Sequence, residues 1–176
     1  MGKQKFTARM LPMTGVILLS IGAASSTDAA TATSNLSVTA SVSANCSIST
    51  APVAFGAYDP VSANAATPLS GTGTVNVTCT NGASTTVTLG QGSNANTGST
   101  DAAPARRLSD GTTHFLTYSL YQDTGRTTFW GNTVGTGVAN TGTGTQTAIT
   151  VYGSVDAGQN VPSGSYSDTV VATVTF

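Results

Sequence analysis

Hydrophobic and polar residues alternate without a break from residue 35 to residue 49. A period of two is typical of a β-strand that buries one face. At about 3.3 Å per residue the run would extend about 45–50 Å, whereas a typical strand extends about 17–20 Å. We therefore predict that only residues 42–48 form a strand of the home domain. The apolar face of the first half, residues 33–42, must be buried elsewhere.

A second alternating run ends the sequence, over residues 165–176. Valine and threonine dominate it, and both favour strands. The alternation predicts one inward-facing and one outward-facing row of side chains. The predicted inward row consists of Tyr166, Asp168, Val170, Ala172, Val174 and Phe176.

Short strand patterns, separated by glycine, asparagine, serine and proline, lie between the two runs. Residues 49–73 are rich in turn formers, and polar loops are predicted for residues 90–104 and 135–144. No segment after residue 30 has the 3.6-residue period of an amphipathic helix. The predicted fold is all-β, a β-sandwich of immunoglobulin type. Its intervening strands are predicted at residues 74–80, 85–89, 106–109, 114–122, 127–131 and 147–155.

Residues 1–30 have the pattern of a secretory signal peptide. Three basic residues precede a largely apolar stretch over residues 10–24, and small residues follow it. Cleavage is predicted between residues 24 and 32, where several alanines fit. The remaining length suits one domain, which we divide into an extension at residues 31–42 and a sandwich at residues 43–176.

Charged residues are scarce after residue 30, where three arginines face six aspartates and no lysine or glutamate occurs. A chain of this charge has no basic face, which argues against nucleic-acid binding and against a polybasic membrane contact. Cys46 and Cys79 are the only cysteines. In an exported chain such a pair most simply forms one disulfide.

Motifs for catalysis are absent from the sequence. A Ser–His–Asp arrangement would have to use His114, the only histidine, with Asp110 as the nearest carboxylate in sequence. A histidine at the edge of a strand is the simpler interpretation. We predict no metal site, no cofactor and no enzymatic activity.

Two adjacent arginines, Arg106 and Arg107, have a functional and a structural interpretation. They could bind an anionic ligand. The more common arrangement is a solvated strand end, here paired with Asp101 or Asp110. The structural interpretation is therefore the favoured one.

Three aromatic residues also have two interpretations: Trp130, Tyr118 and Tyr121. They could form a platform for sugar rings, which would make the protein a monomeric secreted carbohydrate-binding sandwich. Core packing is the favoured role for at least Trp130 and Tyr118. The carbohydrate-binding module is kept as the alternative function.

The surplus of alternating sequence before Cys46 suggests that the sandwich lacks one strand and that each copy carries a spare one. In this interpretation the spare strand inserts into the next copy, a case of β-strand addition. The contact joins two different surfaces, so it can propagate head to tail as a fibre. The alternative is one long first strand that bends and changes sheets. The predicted donor residues are Leu36, Val38, Ala40 and Val42.

Several short motifs follow one another from residue 35 to residue 176. They are the valine-rich run into Cys46, Phe55-Gly56, Val-Asn-Val-Thr-Cys at 75–79, Arg107-Leu108, Leu-Thr-Tyr-Ser-Leu-Tyr-Gln-Asp at 116–123, Trp130-Gly131 and the ending at 164–176. As a set they resemble the spore coat protein U domain family, which includes the archaic, Csu-type chaperone–usher pilins.

This resemblance implies an incomplete immunoglobulin-like fold with a Cys46–Cys79 disulfide. It implies export through the periplasm, capture by a periplasmic chaperone and polymerisation through an outer-membrane usher into a fimbrium or coat at the cell surface. The partners in the polymer would be further copies of the chain or related pilin subunits. The C-terminal strand would meet first the chaperone and then the donor strand, at Val170, Ala172, Val174 and Phe176. A single such domain resembles a shaft subunit, and a coat component remains the other possibility.

Overall fold

The structure, a computed structural model, describes residues 28–176. Residues 1–27 of the predicted signal peptide lie outside the described residues. The chain divides into two units, one ending at Ala40 and one comprising Ser41–Phe176. Residues 28–40 of the first unit adopt no helix or strand, and their side chains are exposed. Within residues 28–176 no helix is long and apolar enough to cross a membrane.

The second unit consists of two antiparallel sheets, as predicted for a β-sandwich. The five-stranded sheet has the order β1-β2-β7-β5-β4, and the three-stranded sheet has the order β6-β3-β8. A single 3₁₀ turn, Val134–Thr136, is the only helical element in the described part of the chain. The strands are β1 Cys46–Ala54, β2 Leu69–Cys79, β3 Ser84–Leu89, β4 Arg106–Ser109, β5 Phe115–Tyr121, β6 Val138–Thr141, β7 Gln146–Val155 and β8 Ala172–Thr175.

The hydrophobic core lies between the sheets and is centred on β2, β3, β5 and β7. Valines and leucines alternate along these strands with threonines and serines, so one face of each strand is buried. Trp130, which is fully buried, fills the space between the sheets and donates its indole N–H to the carbonyl of Val87 at 2.9 Å. The other buried core side chains are Val75, Val77, Val87, Leu89, Leu116, Tyr118, Leu120, Val151 and Val155.

The first strand lies further along the chain than predicted. We expected a strand at residues 42–48, followed by turns, but β1 begins at Cys46 and continues to Ala54. Pro52 indicated a turn at this point of the sequence. Proline has no N–H group to donate to a neighbouring strand, but an edge strand with a bulge tolerates it. The register of β1 on β2 does shift between Ala51 and Ala54. The first strand of the sandwich therefore begins four residues after the predicted position, at Cys46 instead of residue 42.

The second strand, in contrast, begins earlier than predicted, at Leu69 instead of residue 74. It includes Gly71 and Gly73. These glycines looked like turn residues. A β-carbon on Gly73 would come within 2.7 Å of the Val53 side chain, and one on Gly71 within 2.8 Å of the Phe55 ring. The glycines are therefore required because the side chains of Val53 and Phe55, at the end of β1 and just after it, lie against the backbone of β2.

One further strand prediction and one loop prediction are wrong. Residues 127–131 contain only an isolated bridge between Tyr121 and Phe129, because the Asp123 carboxylate accepts the N–H groups of Thr127 and Thr128 and forms a turn there. The same hydrogen bonds, from Thr128 first, lower the pKa of Asp123. Conversely β6, Val138–Thr141, lies in a glycine-rich stretch predicted to be a loop and pairs with β3.

The disulfide predicted from the cysteine count is present between Cys46 and Cys79. It joins the first residue of β1 to the last residue of β2, which are direct partners in the ladder. The bridge therefore anchors an edge strand, whose side chains are almost all exposed, to a strand at the centre of the core.

Replacing both cysteines with serine should lower the free energy of unfolding by roughly 3–4 kcal/mol, because a loop of about 34 residues is no longer closed in the unfolded chain. Denaturant unfolding of the oxidised protein and the double variant measures the difference. Equal unfolding midpoints would contradict this prediction.

Candidate functional site

An open groove runs between β1 and the C-terminal segment that leads into β8. β1 is the outermost strand of the larger sheet, and β8 is the outermost strand of the smaller one. The two strands lie near each other. In the described part of the chain, neither has a partner on the edge that faces the groove. The sandwich is therefore open along this side.

Two adjoining cavities form the floor of the groove, with volumes of about 620 and 280 Å³. Four residues line both cavities, so the cavities are parts of one continuous depression. The smaller cavity reaches core residues such as Leu89, Leu120 and Val151. These core residues are themselves buried, so the cavity reaches inward as far as the hydrophobic core. The four shared residues are Val53, Phe55, Leu108 and Asp168.

The C-terminal wall of the groove is a strand only at Ala172–Thr175, not over the whole of residues 165–176 as predicted. Its preceding residues are held by the loop after β3. Gly90 donates its N–H to Val171 at 2.8 Å, and Ser93 donates its N–H to the carbonyl of Thr169 at 3.0 Å. The wall is therefore ordered by hydrogen bonds on one side and open to a new strand on the other.

Asp168 places a carboxylate in this otherwise apolar wall. Its Oδ2 accepts a hydrogen bond of 2.8 Å from the Tyr118 hydroxyl, and its Oδ1 accepts from the backbone and side-chain N–H groups of Asn94 at 3.1 and 3.2 Å. Burial, with the hydrogen bond to Asp168 as the next cause, raises the pKa of Tyr118. The tyrosine therefore stays a neutral donor to the carboxylate.

Of the predicted acceptor residues, Val170 and Ala172 line the smaller cavity, whereas Val174 and Phe176 line neither cavity. Val170, Ala172 and Val174 are half-buried and face inward. Phe176, predicted to be the last inward residue, is instead 56% exposed, because it lies beyond the end of β8. A core row that is only half-covered is what a missing neighbouring strand leaves behind.

The predicted donor residues are strongly exposed. Leu36, Val38 and Val42 are 84–88% exposed, and Ala40 is also exposed. Large aliphatic side chains are normally buried, and an exposed row of them indicates a surface that meets a partner.

The arginine pair does not form an anion site, and neither arginine pairs with Asp101 or Asp110. Arg106 is buried and donates to the carbonyls of Leu89, Gly90 and Trp130, each at 2.8 Å. Burial lowers its pKa to about 10, so it remains charged at neutral pH. Its role is to tie β4 to the other sheet beneath the groove.

Arg107, its neighbour, donates to the carbonyls of Asn94 and Ala95 and stacks on Phe115, with its guanidinium carbon 3.9 Å from the ring centroid. This cation–π contact and the two carbonyl bonds occupy the guanidinium. Arg107 therefore holds the loop that carries Asn94, and through it the wall of the groove.

Two of the three aromatic residues proposed as a sugar platform, Trp130 and Tyr118, are in the core, as the favoured interpretation predicted. Trp130 is 0% exposed and Tyr118 is 4% exposed. Tyr121 stacks on Phe129 with ring centroids 4.8 Å apart. No platform of the predicted composition exists, because two of its three members cannot reach a ligand.

His114 lies next to Asp110, with its Nδ1 2.7 Å from the carboxylate Oδ2. The Thr112 hydroxyl donates to the same carboxylate at 2.7 Å, and this bond, followed by the His114 contact, lowers the pKa of Asp110. No serine hydroxyl is among the hydrogen-bond partners of His114 in the described chain. Over residues 28–176 no three His, Cys, Asp or Glu side chains are grouped so that they could hold a metal ion.

One functional residue pair was missed by sequence reasoning. Asp168 was assigned to the inward row but not to the site, and Asn94 was placed in a loop without a role. An aspartate in an otherwise apolar inward row was the available signal, because such a charge needs hydrogen-bond partners.

The family model of the Spore Coat Protein U domain matches residues 32–173. The chain belongs to the spore coat protein U domain family. It is 49% identical over 164 residues to Protein U of Myxococcus xanthus, an alignment that covers 89% of this chain and 92% of that protein.

The fold also has a relative among solved structures. The chain is similar, with a TM-score of 0.53 and 20% identity, to a chain in the crystal structure of the CsuC–CsuE chaperone–tip adhesion subunit pre-assembly complex from archaic chaperone-usher Csu pili of Acinetobacter baumannii. The match covers 77% of this chain and 40% of the solved chain. At this identity the likeness concerns the fold, which is the immunoglobulin-like sandwich expected from the sequence.

Proposed function

We propose that this spore coat U family protein is a structural subunit of a secreted surface fibre or coat, joined to its neighbours by donor-strand complementation. Residues 31–42 of one copy fill the groove of the next. The observation that carries the proposal is the apolar groove between two unpaired strand edges, in a domain preceded by an exposed row of aliphatic side chains.

The groove and the extension have complementary chemistry. The groove offers two rows of backbone groups and an apolar floor, and the extension offers an alternating strand. Burying Leu36, Val38 and Val42 contributes about 1.5–3 kcal/mol each, in addition to main-chain hydrogen bonds. The donor and acceptor surfaces differ, so the contact does not close into a dimer and repeats as a fibre.

Export partners follow from the same open groove. An unfilled groove leaves half-buried apolar residues such as Val53, Phe55 and Val170 partly accessible, which favours aggregation before assembly. A periplasmic chaperone that covers the groove, followed by an outer-membrane usher, would solve this problem for a subunit exported by the signal at residues 1–30. The similarity to a chain of a chaperone–subunit complex supports this part of the proposal.

The proposal assigns no catalytic role, cofactor or nucleic-acid partner. Its fibre would lie at the cell surface, where a chain with few charges and many hydroxyl groups is suitable. Shaft subunit and coat component share the same joint, so both are included.

The deciding experiment uses a chain that lacks residues 31–42. Such a chain accepts a donor strand but cannot provide one, so we expect it to shorten fibres when it is co-expressed with the full chain at a tenth of its amount. Electron microscopy of secreted material measures fibre length.

The matched control keeps the length of the extension but replaces Leu36, Val38, Ala40 and Val42 with serine. It should act as the same chain terminator, because the apolar side chains and not the chain length provide the joint. Fibres of normal length and yield from the deleted chain alone would overturn the proposal.

A further inference from the structure

We propose that Asp168 and Ala172 set the register of the incoming strand, which lies antiparallel to the C-terminal wall with Ala40 opposite Asp168 and Leu36 opposite Ala172. This inference rests on the proposed function and goes beyond it, because it specifies which residues meet. It treats Asp168 as a positioning residue.

An alternating strand does not choose its register by its apolar pattern alone. A shift by two residues keeps the same face inward, so Leu36, Val38 and Val42 could each occupy the same position in the groove. Some feature of the groove must distinguish these arrangements if every joint of the fibre is to be the same.

Asp168 is such a feature, because it is the only charged residue that lines either cavity. Its carboxylate is held by Tyr118 and Asn94, so it cannot turn away without losing these hydrogen bonds. A branched side chain pressed against it would remove water from a charge and return no hydrogen bond. Ala40 is the smallest member of the donor row Leu36, Val38, Ala40 and Val42.

The antiparallel direction follows from side-chain size. With Ala40 at Asp168, an antiparallel strand places Leu36, the largest donor residue, opposite Ala172, the smallest residue of the wall row. Ala172 borders the smaller cavity, which Leu89, Leu120 and Val151 also line, so a leucine side chain has an apolar space there. A parallel strand would instead place Ala44 opposite Ala172 and leave that space unfilled.

Cysteine pairs in the full chain report the register directly. Directly opposed residues are close enough for a disulfide, whereas residues shifted by two positions are about 7–8 Å apart. A chain with Leu36→Cys and Ala172→Cys should form a covalent ladder on a non-reducing gel of secreted fibres. Chains that combine Leu36→Cys with Val170→Cys or with Val174→Cys should form at least about tenfold less.

A size exchange tests the role of Asp168. Adding Ala40→Leu to the Leu36→Cys, Ala172→Cys chain should reduce the ladder about tenfold, and adding Asp168→Ala as well should restore it. The control is Ala44→Leu, which lies outside the donor residues that meet the carboxylate. With this substitution, the yield of the ladder should be the same with and without Asp168→Ala.

Each outcome has a distinct meaning. Fibres that cross-link equally through Val170 and Ala172, or through Ala44→Cys and Ala172→Cys, overturn this inference and leave the proposed function standing. Failure of Asp168→Ala to restore the ladder also overturns it. Absence of fibres from the unmodified chain would instead be a failure of the proposed function.

Discussion

Val38→Asp should abolish fibre formation. Val38 is 84% exposed in the single chain and becomes buried in the groove of the next copy under the proposed function. The substitution removes about 1.5–3 kcal/mol of apolar burial and adds the cost of burying a carboxylate without a partner, which is several kcal/mol. A joint weakened by about 5 kcal/mol binds more than 1,000-fold less tightly. Electron microscopy and gel analysis of unheated secreted material measure the loss.

The control for this prediction is Thr39→Asp, which adds the same charge one residue away. An inserted strand directs successive side chains to opposite faces, so residue 39 faces solvent when residue 38 is buried. Fibres should form normally. Equal loss from both variants would indicate a general effect of charge, and fibres from Val38→Asp would show that this residue does not enter a groove.

Arg106→Met should destabilise the domain by about 3–5 kcal/mol. The arginine side chain is 1% exposed and satisfies three backbone carbonyls, those of Leu89, Gly90 and Trp130. Methionine fills a similar volume but donates no hydrogen bond, and each buried acceptor left without a donor costs about 1–3 kcal/mol. The shift of the denaturant midpoint of the oxidised protein measures this effect.

Arg107→Met is the matched control, because it makes the same chemical change at the next residue. Arg107 is only half-buried and its carbonyl partners belong to a surface loop, so we expect a loss of about 1 kcal/mol or less. A larger loss at Arg107 than at Arg106 would contradict the assignment of Arg106 as the tie between the sheets.

Strands with strong alternation and clear flanking turns were predictable. β4 has its predicted bounds, β3 and β7 differ from theirs by one residue at one end, and β5 differs by one residue at each end. β3, β5 and β7 lie inside the sheets, where the buried face imposes the period of two on the sequence, whereas β4 is an edge strand that pairs with β5. The predicted and observed bounds agree because the alternation that defines each strand lies within its own residues.

Strands that depend on a partner were not predictable. β6 has four residues and is surrounded by glycines, and it is a strand because β3 lies beside it. Residues 127–131 have strand-forming side chains, yet Asp123 folds them into a turn. β1 continues through Pro52 because the proline lies in an edge strand, which only the sheet order reveals.

The sequence by itself determined the all-β class, the disulfide, the family resemblance and the two alternating runs at either end of the chain. All of these depend on residue types and their spacing. Only the tertiary structure decided that the sandwich is open between β1 and β8, and that Arg106 and Trp130 lie beneath the opening. It also placed Asp168 in the wall, beside Tyr118 and Asn94. The reason is physical: an open groove depends on two strands, β1 ending at Ala54 and β8 beginning at Ala172, that are far apart in the chain, and no local pattern records which edges remain without a partner.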